Sequence, residues 1–239
     1  MGKEIMDWRE ALKQHAEMTK ARINKLNQST ATMLSFRGGR FSVGGEELEN
    51  PLEAVVLAVR LERSYYDSPY NPDVQTPPTC YSFDGERPHA ETEDPQHETC
   101  RGCPWDEFGT SGRGKACKEG ARVALILADS LSDIESADIL QAKTSVLNTQ
   151  TLRSYADRLP GPLFLFTTAI KNEQDPKTQY HLTFRMVEKL MLDDASGGAL
   201  ARKVEEAERL LNVPFPKAED KPAPKAPPAK RGGVRRSKF

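Results

Sequence analysis

The chain has 239 residues, of which 37% are hydrophobic and 29% charged. That balance suits a globular protein able to bury its own core and excludes collagen-like and wholly disordered classes. No apolar run approaches the roughly 20 residues of a membrane-spanning helix, so no membrane partner is expected. The net charge of -1 is uneven, because residues 217–239 hold eight basic side chains against Glu219 and Asp220, putting +6 on the tail and -7 on the remainder. Such asymmetry points to a basic arm that meets nucleic acid or another acidic surface.

Trp8, Leu12, His15, Met18, Ile23 and Leu26 recur at about helical spacing within 7–26, which predicts an N-terminal helix inside 1–28. The same stretch lacks the unbroken apolar core of a secretory signal, so a cytoplasmic location is expected. Residues 30–36, a Gly38-Gly39 turn and 40–43 predict a hairpin. The clearest strand is 52–66, where Val55, Leu57, Val59, Leu61, Arg63 and Tyr65 alternate with Val56, Ala58, Arg60, Glu62, Ser64 and Tyr66. From 67 to 120 strand character gives way to Pro, Gly, acidic residues and every cysteine, the composition of an insertion. Strands are expected at 121–128 and 139–144, then a helix at 148–159 ended by Pro160-Gly161-Pro162. Two more strands, 163–170 and 180–187, flank a polar loop at 171–179. A helix at 199–211 lies within a C-terminal helical region, 191–213, and the Pro-, Lys- and Ala-rich tail 214–239 is expected to stay disordered. About five or six strands with one interposed helix predict a β-rich α+β fold, an OB-like partly closed barrel over 29–190 with a zinc loop inserted at 67–120.

Cys100 and Cys103 form a C-x-x-C knuckle, a spacing that lets two thiolates of one turn reach the same tetrahedral ion. Cys80 and Cys117 lie on either side of it among glycines and prolines suited to folding back. One structural zinc ion on Cys80, Cys100, Cys103 and Cys117 is therefore expected, with His89 or His97 as the alternative to one cysteine. The run His89-Ala90-Glu91 before C-x-x-C resembles the zinc deaminase signature, but Glu91 and Cys100 are too close for the strand and helix that such enzymes place between them. An all-cysteine site leaves no open position for water, and no phosphate-binding loop or nucleophile elbow is present in the sequence. The protein is expected not to be an enzyme.

Single-strand binding needs cations for phosphates and flat side chains for bases. Three groups offer both: Phe36, Arg37, Arg40 and Phe41 around the hairpin turn; Arg60, Arg63, Tyr65 and Tyr66 on the next strand, followed by Tyr70; and Arg113, Lys115, Lys118 and Arg122 about the last cysteine.

The run T-P-P-T-C-Y-S-F-D-G, then C-R-G-C-P-W-D-E-F-G-T, then G-K-A-C-K, resembles a cysteine-bearing segment of tailed-phage and prophage proteins. The chain is also similar in layout to the zinc-containing OB-fold single-stranded DNA-binding proteins of phages. In that class the zinc set includes a histidine and the tail is acidic, whereas here four cysteines and a basic tail stand. The resemblance implies non-enzymatic binding of single-stranded DNA, or RNA, in phage-type replication or recombination in the host cytoplasm, with replication or recombination proteins as partners. The alternative is a zinc-stabilised interaction protein that docks on a polymerase or other machinery through its acidic body.

Overall fold

A computed structural model describes residues 32–68, 76–174 and 180–215. The helix expected at 7–26, Tyr70 and the tail beyond Phe215 lie outside the described residues. Nine strands share one sheet. In chain order they are β1 (Thr32–Ser35), β2 (Phe41–Val43), β3 (Glu46–Leu48), β4 (Leu52–Tyr65), β5 (Cys80–Ser82), β6 (Lys118–Leu127), β7 (Leu140–Ser145), β8 (Phe166–Gln174) and β9 (Tyr180–Lys189). Helix α1 (Val146–Ala156) follows β7 and α2 (Asp194–Leu211) follows β9. Spatially the order is β3-β2-β1-β7-β6-β4-β8-β9, antiparallel except where β1 meets β7, with β5 paired to the end of β4.

Alternation along β4 divides the core between the two faces of the sheet. Ala54 and Val56 point one way, into clusters with Phe41, Leu125 and Leu140 and with Leu152 and Tyr155 of α1. Val55 points the other way, against Leu200, Ala207 and Leu211 of α2. A bulge between Val56 and Ala58 shifts the register, so Leu57 and Ala58 also reach the α2 side.

The sheet curls into a half-barrel because polar side chains tie the two ends of the strand path together. Asn172 Nδ2 on β8 donates to the Phe36 carbonyl at 2.7 Å, and Asn50 Nδ2 donates to the Asn172 carbonyl at 2.8 Å. Gly39 sits at φ +80° against the Tyr180 ring, where a Cβ would collide. On the other side, the Leu182 N–H of β9 donates to Asn148 Oδ1 of α1 at 2.9 Å. Among the described residues no helix is long and apolar enough to cross a membrane.

Differences from the expected elements have local causes. β8 begins at Phe166 because Leu163–Leu165 form a single 3₁₀ turn after Pro162, and it extends to Gln174 because its ladder with β9 continues to Gln174↔Tyr180. α2 starts at Asp194 despite Gly197-Gly198, since Asp193 and Ser196 cap each other's backbone N–H groups. Strand β5, inside the expected insertion, was not foreseen; three residues are too few to carry a period, and only pairing with β4 defines them.

Phe41 was expected to stack on bases, but it is 1% exposed and packed into the core. Its ring holds the β1–β3 meander onto the sheet. Phe41→Ala should therefore destabilise the fold by roughly 3–5 kcal/mol, read as a lower midpoint in chemical denaturation. An unchanged midpoint would place the ring outside the core.

Candidate functional site

All four cysteines line one small cavity of about 20 Å³, walled also by Arg63, Tyr65, His97 and Trp105. The sheet brings them there. Cys80 opens β5 opposite Tyr65, and Tyr65 stacks on Trp105 with centroids 4.8 Å apart. The knuckle is held by the Cys100 N–H donating to the Glu86 carbonyl at 2.8 Å, and the Cys117 N–H donates to the Trp105 carbonyl at 2.9 Å. Burial pushes the Cys117 thiol up to about 11 and also raises Cys80 and Cys100. Among the described residues no three or more His, Cys, Asp or Glu side chains are gathered closely enough to hold a metal ion. The thiols thus share a cavity wall without forming a ready coordination shell. His97 is on that wall, whereas His89 bonds the Tyr81 hydroxyl through Nδ1 at 3.1 Å and stacks on Tyr81.

A second centre lies in mid-sheet, on the face that α2 covers higher up. Arg60 on β4 is opposite Arg122 on β6, which is opposite Lys143 on β7, so three cations form one row across three strands. Glu62, two residues beyond Arg60 on the same face, has a fully buried side chain. Its Oε2 accepts from Arg60 Nη2 at 2.8 Å and from Arg122 Nε at 3.0 Å, and Lys143 Nζ lies 2.7 Å from Oε1. Burial by itself would raise the Glu62 carboxyl, but Lys143 and Arg122 outweigh it and hold the group below its ordinary 4.5. Burial lowers Arg60 to about 10, against the pull of Glu62. The Arg60 guanidinium carbon lies over Phe83 at 3.4 Å from the ring centroid. Three cations around one anion leave two positive charges in excess. Lys118, opposite Ser64 and with its Nζ donating to the Lys115 carbonyl at 2.5 Å, and the half-exposed Tyr66 border this face.

The twelve residues expected to touch nucleic acid fall into separate places. Arg60, Tyr66, Lys118 and Arg122 gather on the mid-sheet face, although Arg60 is 8% exposed and works from beneath. Arg63, Tyr65 and Lys115 belong instead to the surroundings of the cysteine cavity. Arg63 bonds Asp106 at 2.9 Å and Glu119 at 3.0 Å, Lys115 bonds Asp106 at 3.0 Å, and Tyr65 is buried under Trp105. Alternation of β4 turns Arg63 and Tyr65 to the face opposite Arg60, which separates two groups that adjoin in sequence. At the hairpin, Phe36 is half-buried, Arg37 is exposed and Arg40 pairs with Glu47 at 3.1 Å. Arg113 is exposed on the insertion. Sequence reasoning missed Lys143, Glu62 and Phe83. A charged residue inside a central strand, as Glu62 between Leu61 and Arg63 and Lys143 between Ala142 and Thr144 are, was the available signal.

No family model, no curated protein and no solved structure matches this chain.

Glu62 has a lower pKa in the folded protein than in the unfolded chain, so its contribution to stability is complete above pH 4.5 and fades as pH falls through the lowered value. Glu62→Gln removes the anion from beneath three cations. It should cost roughly 3–5 kcal/mol at neutral pH in urea denaturation, with the gap to wild type narrowing in acid. Equal stability at neutral pH would mean that the carboxylate does not organise the row.

Proposed function

We propose that this protein binds single-stranded DNA on the face of β4, β6 and β7 that carries Lys143, Arg122 and Lys118, and that a structural zinc ion on Cys80, Cys100, Cys103 and Cys117 stiffens the adjoining insertion. The observation that carries the reading is the cation row around Glu62. A buried carboxylate holds the cationic side chains in place, so their ordering is largely complete before a phosphate arrives. Tyr66 beside the row supplies a flat surface for a base.

Connectivity supports the reading. Strands β4, β6 and β7 form an antiparallel meander, α1 follows, and β8 returns to pair with β4 before β9 completes the run. Taken alone, these five strands have the order of an OB-type barrel, in which the second and third strands and the loop between the first two make the nucleic-acid surface. Here those are β6, β7 and the cysteine insertion. The unmatched connection is the parallel edge of β7, which β1 occupies.

The donor set suits zinc. Four thiols on one cavity too small for an organic ligand can close on a single tetrahedral ion, and binding would release their protons. The insertion has few buried aliphatic residues, so cross-linking through a metal would offset much of its ordering entropy. Nothing in the reading requires catalysis. The cysteine-segment resemblance directs it to phage-type replication or recombination.

Freshly purified, reduced protein should contain about one equivalent of zinc, and Cys103→Ser should lower that content and open residues 80–117 to limited proteolysis. Elemental analysis that finds no metal would remove the ion from the reading.

Binding is tested by fluorescence anisotropy with single- and double-stranded oligonucleotides across a salt series. Lys118→Ala and Lys143→Gln should each lower the salt slope by about one phosphate contact. Tyr66→Ala should cost about 1–3 kcal/mol in single-strand affinity with the slope unchanged. If all three variants melt and bind like wild type, this face is not the binding surface. The second reading then takes its place, a zinc-stabilised protein that docks on other machinery through its acidic body.

A further inference from the structure

Tyr81, Thr76, Pro77, Pro78 and Thr79 wall a groove of about 250 Å³ on the cysteine insertion, and Phe215 forms its remaining side. Phe215 packs edge-on against Tyr81 with centroids 4.9 Å apart, and its centroid is 6.1 Å from that of Phe83. Asp67, Glu91, Glu93 and Asp94 rim the groove. All four are exposed, and among the described residues none of them takes part in an ion pair. Like charges gathered without ion-pair partners repel one another, so the rim favours a cationic occupant.

We infer that the occupant is this chain's own basic tail, residues 216–239. The chain leaves the described structure at Phe215, which is already seated in the groove wall. The tail is therefore tethered at the groove wall, and docking is intramolecular, with the high effective concentration of a short tether. The tail's composition matches the groove. Pro222, Pro224, Pro227 and Pro228 favour a polyproline helix, the conformation that aromatic-lined grooves accept. In that helix Lys217, Lys221 and Lys225 recur about 12 Å apart. Beyond them Lys230, Arg231, Arg235, Arg236 and Lys238 carry most of the positive charge.

The acidic insertion is then an internal counterpart of a nucleic-acid backbone. It holds the tail by charge when no polyanion is present, and a bound strand competes for the same cations. Docking itself does not depend on the proposed DNA binding; only the competition does.

The test is zero-length carbodiimide coupling of carboxylates to amines in the full-length protein at low salt, followed by peptide mass spectrometry. Expected products join Lys217, Lys221, Lys225 or Lys230 to Asp67, Glu91, Glu93 or Asp94 within one monomer, and high salt should suppress them. The variant Glu91→Gln/Glu93→Gln/Asp94→Asn, altered only at exposed positions, should lose most of the coupling with an unchanged melting midpoint. Tail lysines that couple equally to distant carboxylates such as Glu46, Glu135 and Glu205 would overturn the inference. So would coupling found only between copies in a mixture of isotopically heavy and normal protein. In a second arm, a single-stranded oligonucleotide should displace the tail, and the triple variant should bind it several-fold more tightly than wild type. Intramolecular coupling without any oligonucleotide binding would uphold the docking and reject the DNA-binding reading.

Discussion

The structure depends on how the two edges of β4 are shared. One edge pairs with β6 along almost its whole length, from Ala54↔Leu127 to Ser64↔Lys118. The other is divided, with β8 on residues 52–55 and β5 on residues 63–65. A strand of 14 residues, at about 3.3 Å per residue, is long enough to belong to the half-barrel at one end and to found the cysteine insertion at the other. The insertion is consequently an extension of the sheet. Its strand β5 takes its direction from the strand that also forms the half-barrel wall.

Charge follows the same division. Toward the end of β4, Glu62 gives up hydration that only close cations replace, and Arg60, Arg122 and Lys143 supply them from three neighbouring strands. The cost of burying one anion thereby fixes the positions of three cations. Further along the strand, Arg63 on the opposite face is neutralised by Asp106 and Glu119 and braces the insertion against β6. Two arginines three residues apart thus have different electrostatic roles because the pleat sends them to opposite faces. The exposed acidic groups of the insertion rim a groove of their own, so a molecule of nearly zero net charge carries both a positive sheet face and a negative loop rim.

Phe215 connects these parts. It follows α2, which packs on the Val55 face of the sheet, and it ends against Tyr81 of β5 and within 5.9 Å of Arg122. Helix, cysteine insertion and cation row therefore meet at one aromatic side chain. A residue so far from β5 in sequence has no local signal for that contact.

Period and composition determined much of the fold in advance. Alternation in 52–66 marked β4, the apolar runs marked β6 and β8, and the cysteine spacing singled out the four residues that come to line one cavity. These signals are local, since a period of two or a C-x-x-C turn depends only on neighbouring residues. Burial decided the rest. Phe41 and Tyr65 read as surface aromatics until the meander and Trp105 covered them, and Arg60 read as a solvated cation until Phe83 and Glu62 enclosed it. The partners of Glu62 come from three strands joined by long connections, and which cations meet which anion is set by register. Register arises from pairing between distant segments, so only the tertiary structure decided it.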